Sequence, residues 1–311
     1  MKTDRNQQPK ELGKVSWYRD YDAAIAESNR TNKPVFLLFQ EVPGCSNCVN
    51  FAYDMLSYPL VVEAIENEFI PLAIYNNVEG EDKKVLDKFN ERAWNNPVVR
   101  FIDKNGVDIV PKLEYSLNPL ALYEKMRNTI LISSKQVPRY IELLEDELKI
   151  LSGISRIAYY ETPCFWSGET SMIQHPMVLS TEAGWMAGKE VVKVHYDPDK
   201  GTLDELNSYA IDQGFYLMEK LDTYKKDVNP QYYLKGSIFR VLPLSFRQRS
   251  LLNYAIPYKK DGEGETYLSP LQSQLLVKYR KNNRAEKAEA LYDRNIEESW
   301  SFREVETNTR R

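Results

Sequence analysis

A continuous apolar block, Val35-Phe36-Leu37-Leu38-Phe39, runs within six residues into Cys45-Ser46-Asn47-Cys48. Five apolar residues in a row suit a strand buried on both faces, which calls for a sheet covered by helices on each side. The chain must then turn from that strand into a helix that starts at the cysteines. A helix N-terminus offers partial positive charge and free N–H groups to a thiolate, so Cys45 reads as an attacking sulfur and Cys48, one turn in, as its resolving partner. A zinc half-site or a pair of inert buried cysteines are the alternatives. Zinc needs about four ligands, whereas the chain adds one cysteine, Cys164, and two histidines, His175 and His195, none at ligand spacing.

Periodicity extends this reading along the first half. Lys14 to Asn32 reads as an edge segment followed by a helix, and a second helix from Cys48 to about Leu56 breaks near Pro59 and resumes with Val61, Val62, Ile65 and Phe69 on one face. Ile70 to Tyr75 is a second buried strand. A polar, acidic stretch leads into a short helix ending at Phe89, and Asn95-Asn96-Pro97 precedes a hairpin of Val98 to Ile102, the turn Asp103-Lys104-Asn105-Gly106, and Asp108 to Val110. Pro119 to Ile132 is an amphipathic closing helix.

The block Lys33 to Phe39, then Val42-Pro43-Gly44-Cys45-Ser46-Asn47-Cys48, then Asn96-Pro97 before a strand, resembles the thioredoxin-like superfamily from about Val15 to Ile132. The resemblance implies a cis Pro97 lying against the dithiol and presenting a backbone edge to a partner's extended chain, with Cys45 and Cys48 as the redox pair. The Val-Pro-Gly prefix is similar to a bacterial subgroup in which the first cysteine can be selenocysteine.

The second half reads as a different layout. Val137 to Leu151 is a Glu-, Leu- and Lys-rich helix that suits a connector. It is followed by strand Ile154 to Tyr160, a helix from Cys164, strands Val178 to Trp185 and Glu190 to Tyr196, and helix Thr202 to Gln213. Strand, helix, strand, strand, helix is a split βαβ arrangement. An irregular segment to Gln231, a strand around Ser237 to Leu242, a helix Ser245 to Tyr254, and from Leu268 a charged helix with a polar tail complete the chain.

Cys164 stands at a strand-to-helix junction beside Phe165 and Trp166, which suits a nucleophile next to an apolar pocket; composition alone favours a buried, inert cysteine in an aromatic core. Pro163-Cys164-Phe165-Trp166, Val178 to Trp185, Glu190 to Val194, Tyr196-Asp197-Pro198, and Asp227 to Tyr232 resemble, in the same order, the A-type peptide methionine sulfoxide reductases. The match covers roughly Ile154 to Tyr254. It implies that Cys164 attacks the sulfoxide sulfur, that Phe165 and Trp166 hold the S-methyl group, that a protonated Glu190 donates to the sulfoxide oxygen, that Tyr232 supplies a second hydrogen bond, and that Asp227 lines the pocket. Pro163 stands where that family has glycine.

The expected fold class is therefore α/β and α+β: a thioredoxin-like domain (14–134), a connecting helix (135–153), a ferredoxin-like, methionine-sulfoxide-reductase-like domain (154–260), and a C-terminal helix and tail (261–311). With 41 Lys+Arg against 45 Asp+Glu, net charge −4, nucleic acid and anionic membrane are not expected partners. The polar stretch Met1 to Lys14 reads as neither signal peptide nor anchor, so the expected compartment is the cytosol, where three cysteines are too few for a disulfide framework and a close pair suits catalysis or metal binding. No cofactor or metal is called for. His175 and His195 read as packing residues.

After Cys164 the chain has no cysteine to resolve a sulfenic acid. The expectation is that Cys45 and Cys48 act as its built-in reductant, with an external thiol donor such as a thioredoxin system and methionine sulfoxide or an oxidised protein as substrate. A disulfide reductase or adaptor with a non-catalytic second domain is the rival. A heavy-metal-binding split βαβ domain is a third reading, against which Cys164 lacks a nearby soft ligand.

Overall fold

The structure is a computed structural model that describes residues 2–116, 118–134, 136–219, 223–258, 261–281 and 288–301. The chain divides into two units, Met1–Leu144 and Glu145–Arg311. In the first, α1 (Tyr21–Thr31), β1 (Val35–Gln40), α2 (Ser46–Asp54), α3 (Pro59–Glu68), β2 (Ile70–Tyr75), α4 (Glu81–Lys88), β3 (Val98–Ile102), β4 (Asp108–Leu113) and α5 (Pro119–Ser134) follow in order, before α6 (Arg139–Leu151), which crosses the division. The sheet order is β2-β1-β3-β4. β1 runs parallel to β2 and antiparallel to β3, and β4 closes the sheet antiparallel to β3.

All six residues of β1 are buried, as a strand covered on both faces requires. Val35, Leu37 and Phe39 pack with Ala24 of α1, Val85 and Leu86 of α4, and Ile70, Leu72 and Ile74 of β2. On the opposite face Phe36 meets Trp17, Phe69 and Phe101 at ring-centroid distances of 5.8, 6.1 and 5.1 Å. The segment before α1 is the expected edge: Tyr18 donates its N–H to Pro71 O, and Ala73 N–H donates to Tyr18 O. Pro111 interrupts β4, a position a sheet tolerates at its edge, and Asn96–Pro97 is cis, as is Val42–Pro43.

The second unit contains β5 (Arg156–Glu161), α7 (Phe165–Met172), β6 (Val178–Met186), β7 (Lys189–Tyr196), α8 (Leu203–Asp212), β8 (Tyr216–Leu217), β9 (Lys225–Lys226), α9 (Tyr232–Lys235), α10 (Phe246–Ala255), α11 (Asp261–Glu265) and α12 (Pro270–Lys281). The sheet order is β8-β5-β7-β6-β9, with every pairing antiparallel. β5 and β6 therefore point the same way with β7 between them, a split βαβ arrangement. Ala187 and Gly188 join β6 to β7 with φ of 51° and 74°, the positive values a two-residue hairpin turn demands. α7 seats Phe165 and Met172 against Tyr160, Val178, Val192 and Val194.

Three readings are corrected. The segment Ser237 to Leu242 is not a strand: Ile238–Val241 forms a 3-10 turn, because a short apolar run has no period that separates a strand from a buried turn. The irregular stretch before Gln231 supplies the two short edge strands β8 and β9. The end of the described chain is also less polar than its composition implies. Leu291, Tyr292, Ile296 and Trp300 are buried, and Tyr292 shares a cluster with Leu234, Phe239, Leu252 and Leu275; residues 302–311 lie outside the described residues. No helix among the described residues is long and apolar enough to cross a membrane.

Candidate functional site

The dithiol sits where β1 hands over to α2. Gly44 takes φ +127° to make the turn, a conformation that favours glycine, and its N–H donates to Oε1 of Glu11 at 3.3 Å. Glu11 is buried and accepts from the Gln40 side chain through its backbone carbonyl. Cys45 is the N-cap of α2, and its Sγ accepts the N–H of Cys48 at 3.1 Å. The two cysteines form a disulfide, with Cα atoms 5.2 Å apart. Cys45 is half-buried and Cys48 fully buried, so the sulfur expected to attack is the one that a partner can reach.

Asn96 completes this arrangement. Its Oδ1 lies 2.9 Å from Cys45 Sγ and 3.1 Å from Cys48 Sγ, so either thiol can donate to it once the pair is reduced. Nδ2 of Asn96 donates to Ala93 O at 3.3 Å, which turns the oxygen toward the sulfurs. The loop carrying Asn96 and Pro97 is anchored beneath. Asn76 donates to Asn95 O at 3.0 Å, Asn95 donates to Glu114 at 2.8 Å, and Glu91, almost fully buried, receives Arg100 at 2.6 Å and Lys112 at 3.1 Å. Trp94, 64% exposed, stands on the same loop.

The second candidate centre is built on α7. Cys164 is its N-cap, half-buried, with no hydrogen bond from its side chain to the helix. The first helical N–H, that of Phe165, donates instead to Oε2 of Glu190 at 2.9 Å. Glu190 faces Trp185 across the β6–β7 ladder. Phe165 touches Trp166 and Trp185 at 5.3 and 5.2 Å, and Trp166 stacks on Tyr232 at 4.2 Å and 18°. Trp185 donates its indole N–H to Asp227 at 3.2 Å. Cys164, Phe165, Trp166, Glu190 and Tyr232 thus share one neighbourhood, and Asp227 joins it through Trp185. The rings beside Cys164 are packed on one another, Trp166 lying flat on Tyr232 and Phe165 edge-on to Trp185.

Four residues carry these geometries without having stood out in the sequence. Asn96 precedes a proline already singled out, and nothing in its type says that its side chain turns back to the sulfurs. Glu11 lies in a polar stretch that hides its burial. Trp185 could have been found from strand parity opposite Glu190. Glu169 reads as one more polar helix residue, yet it is fully buried five positions after Cys164.

A family model described as thioredoxin-like matches residues 16–104. None of the curated proteins compared matches the chain. A solved structure titled "DsbH Oxidoreductase" is similar at 16% sequence identity and a TM-score of 0.33, covering 41% of this chain and 94% of that one. Residues 16–104 therefore form a thioredoxin-like domain that carries a Cys-x-x-Cys pair at disulfide distance.

Proposed function

We propose that this protein is a thiol-dependent oxidoreductase that reduces methionine sulfoxide at Cys164 and uses the Cys45/Cys48 dithiol as its built-in reductant. The observation that carries the reading is the Cys164 neighbourhood: a cysteine at a helix N-terminus whose next two residues, Phe165 and Trp166, pack on Trp185 and Tyr232, with Glu190 on the first helical N–H. The second unit is read as a ferredoxin-like, methionine-sulfoxide-reductase-like domain (154–260), to which the split βαβ order and the ordered motif match lend support.

In the first step the Cys164 sulfur attacks the sulfoxide sulfur, with Glu190 and Tyr232 delivering hydrogen bonds and a proton to the departing oxygen. The products are methionine and a sulfenic acid on Cys164. The Cys45 thiolate then displaces the sulfenic oxygen as water to give a Cys45–Cys164 disulfide. Cys48 attacks Cys45, releases Cys164 as a thiolate, and leaves the Cys45–Cys48 disulfide. An external dithiol donor restores the pair, so each sulfoxide consumes two electrons and two protons. Tethering raises the effective concentration of the reducing thiol to about the millimolar range, which makes a resolving cysteine after Cys164 dispensable. A reducing, cytosolic compartment suits such a cycle.

The test is turnover of methionine sulfoxide with dithiothreitol or a thioredoxin system. Cys164→Ser is expected to be inactive, and a variant as active as the parent would sink the nucleophile assignment. Cys48→Ser is expected to accumulate a Cys45–Cys164 mixed disulfide; without it the relay fails even where each site works alone.

A second reading is favoured by the half-buried Cys45 beside Asn96 and the exposed Trp94: a disulfide reductase or adaptor for protein clients whose second unit is non-catalytic. Reduction of insulin disulfides by the parent protein, with no sulfoxide turnover, would select it.

A further inference from the structure

Glu169 is fully buried on α7, five residues after Cys164, and is surrounded by donors. Its Oε1 accepts Ala183 N–H of β6 at 2.8 Å; the Gln231 N–H lies 3.2 and 3.1 Å from Oε1 and Oε2. Oε2 also accepts from Asn253 of α10 at 3.3 Å. Asn253 in turn accepts the N–H groups of Tyr233 and Leu234 through Oδ1, at 3.0 Å each. One carboxyl and one carboxamide thus take up the backbone donors of Gln231, Tyr233 and Leu234, the stretch on which Tyr232 stands. Gln231 holds the left-handed conformation, φ 55° and ψ 52°, which a side chain bearing a Cβ adopts at a cost. Ala183 extends the connection, because its carbonyl accepts the N–H of Asp227 at 3.0 Å, the partner of Trp185.

We infer that Glu169 is the positioning residue of the Cys164 site: its carboxyl fixes the turn that places Tyr232 on Trp166. This deepens the reading of Cys164 as the reaction centre and rests on it for any catalytic consequence. The groups facing Glu169 are chosen for an acceptor. Ala183, Gln231 and Asn253 present N–H donors, and Glu182, Tyr224 and Tyr292 are the neighbouring ionisable groups. Burial pushes the carboxyl up to about 8, against the pull of the Ala183 and Gln231 N–H groups and of Asn253. A carboxyl carries at most one donor hydrogen, and none once ionised, whereas an isosteric carboxamide offers one acceptor oxygen and presents two donor hydrogens to a ring of donors. Glu169→Gln therefore loosens the Tyr232 turn with little change in volume.

The experiment uses the full chain carrying Cys45→Ser and Cys48→Ser for spectroscopy and the parent chain for turnover. Acrylamide quenching of tryptophan fluorescence is expected to rise in Glu169→Gln to the level of Tyr232→Ala. The double variant is expected to show no further rise, since both act on one contact. In turnover, Glu169→Gln is expected to lower kcat for methionine sulfoxide about tenfold with KM changed less than threefold, the pattern of an interaction lost in the transition state. Unchanged quenching in a folded Glu169→Gln protein, or an effect that adds to that of Tyr232→Ala, overturns the inference. Where Glu169→Gln does not fold, Asn253→Ala, which releases the other half of the same turn, must show the increase in quenching. A parent without sulfoxide turnover defeats the proposed function, while the quenching comparison still decides the role of Glu169.

Discussion

Asn96 has one oxygen within reach of two sulfurs, and that geometry fixes the sign of its effect. An acceptor beside a thiol stabilises S–H and opposes the thiolate. The amide cannot turn its nitrogen to the sulfurs without giving up its bond to Ala93 O. One neutral hydrogen bond contributes about 1 kcal/mol, roughly a fivefold change in an equilibrium. Asn96→Ala is therefore expected to speed alkylation of reduced Cys45 near neutral pH by about fivefold, and Asn96→Asp to slow it by placing a negative charge beside both sulfurs. Iodoacetamide kinetics followed by mass spectrometry distinguish the two directions. Slower alkylation of Asn96→Ala would mean that the carboxamide donates to the thiolate instead.

α7 delivers Cys164 to its site only because the helix can lie close to the sheet, and Gly168 permits that approach. A Cβ at this position would stand 2.7 Å from Val192 Cγ2 and 2.9 Å from Thr162 Cγ2. Alanine improves the intrinsic helix preference by about 1 kcal/mol, but overpacking a seated helix costs about 1–3 kcal/mol. Because both obstructing atoms belong to buried β-branched side chains with little freedom to turn, the steric effect wins. Gly168→Ala is expected to destabilise the second unit by about 1–2 kcal/mol, read as a lower urea midpoint, and a higher midpoint would show slack beneath the helix. This is the kind of feature that patterning along the chain leaves hidden. The apolar run of β1, the Cys45–Cys48 spacing, the proline before β3 and the split βαβ order were legible because period, spacing and punctuation are local. Glu169 and Asn96 act through partners 14 to 84 positions away, and Gly168 through the side chains of Thr162 and Val192, on which α7 lies. The 3-10 turn at Ile238–Val241 and the buried Leu291 and Trp300 were missed because a short apolar run, or an apolar residue in a charged stretch, takes its role from the cluster that receives it.

Two groups of the second unit, the half-buried His195 and the buried Glu169, pull its stability in opposite directions with pH. Burial, helped by Lys193, lowers His195 from 6.5 to about 4. The unfolded chain thus binds a proton that the folded one refuses, and the contribution of His195 is whole above about pH 6.5 and lost toward pH 4. Burial raises Glu169 from 4.5 to about 8. Here the folded chain binds the extra proton, and its contribution is whole below pH 4.5 and lost as pH rises toward 8. Between these ordinary values, about pH 4.5 to 6.5, the slopes of His195 and Glu169 offset each other. Above that range the Glu169 slope stands alone at about 1.4 kcal/mol per pH unit, which amounts to roughly 2 kcal/mol by pH 8. For a unit of this size that loss is about 4–8 °C in Tm. Calorimetry of the full chain from pH 5 to 8.5 is expected to show the transition of the second unit falling by that amount above pH 6.5. In Glu169→Gln the alkaline fall should vanish, whatever the overall Tm, because the group that supplies the slope is gone. A fall that persists unchanged in Glu169→Gln assigns the slope to another group and removes Glu169 as the buried carboxyl that titrates there.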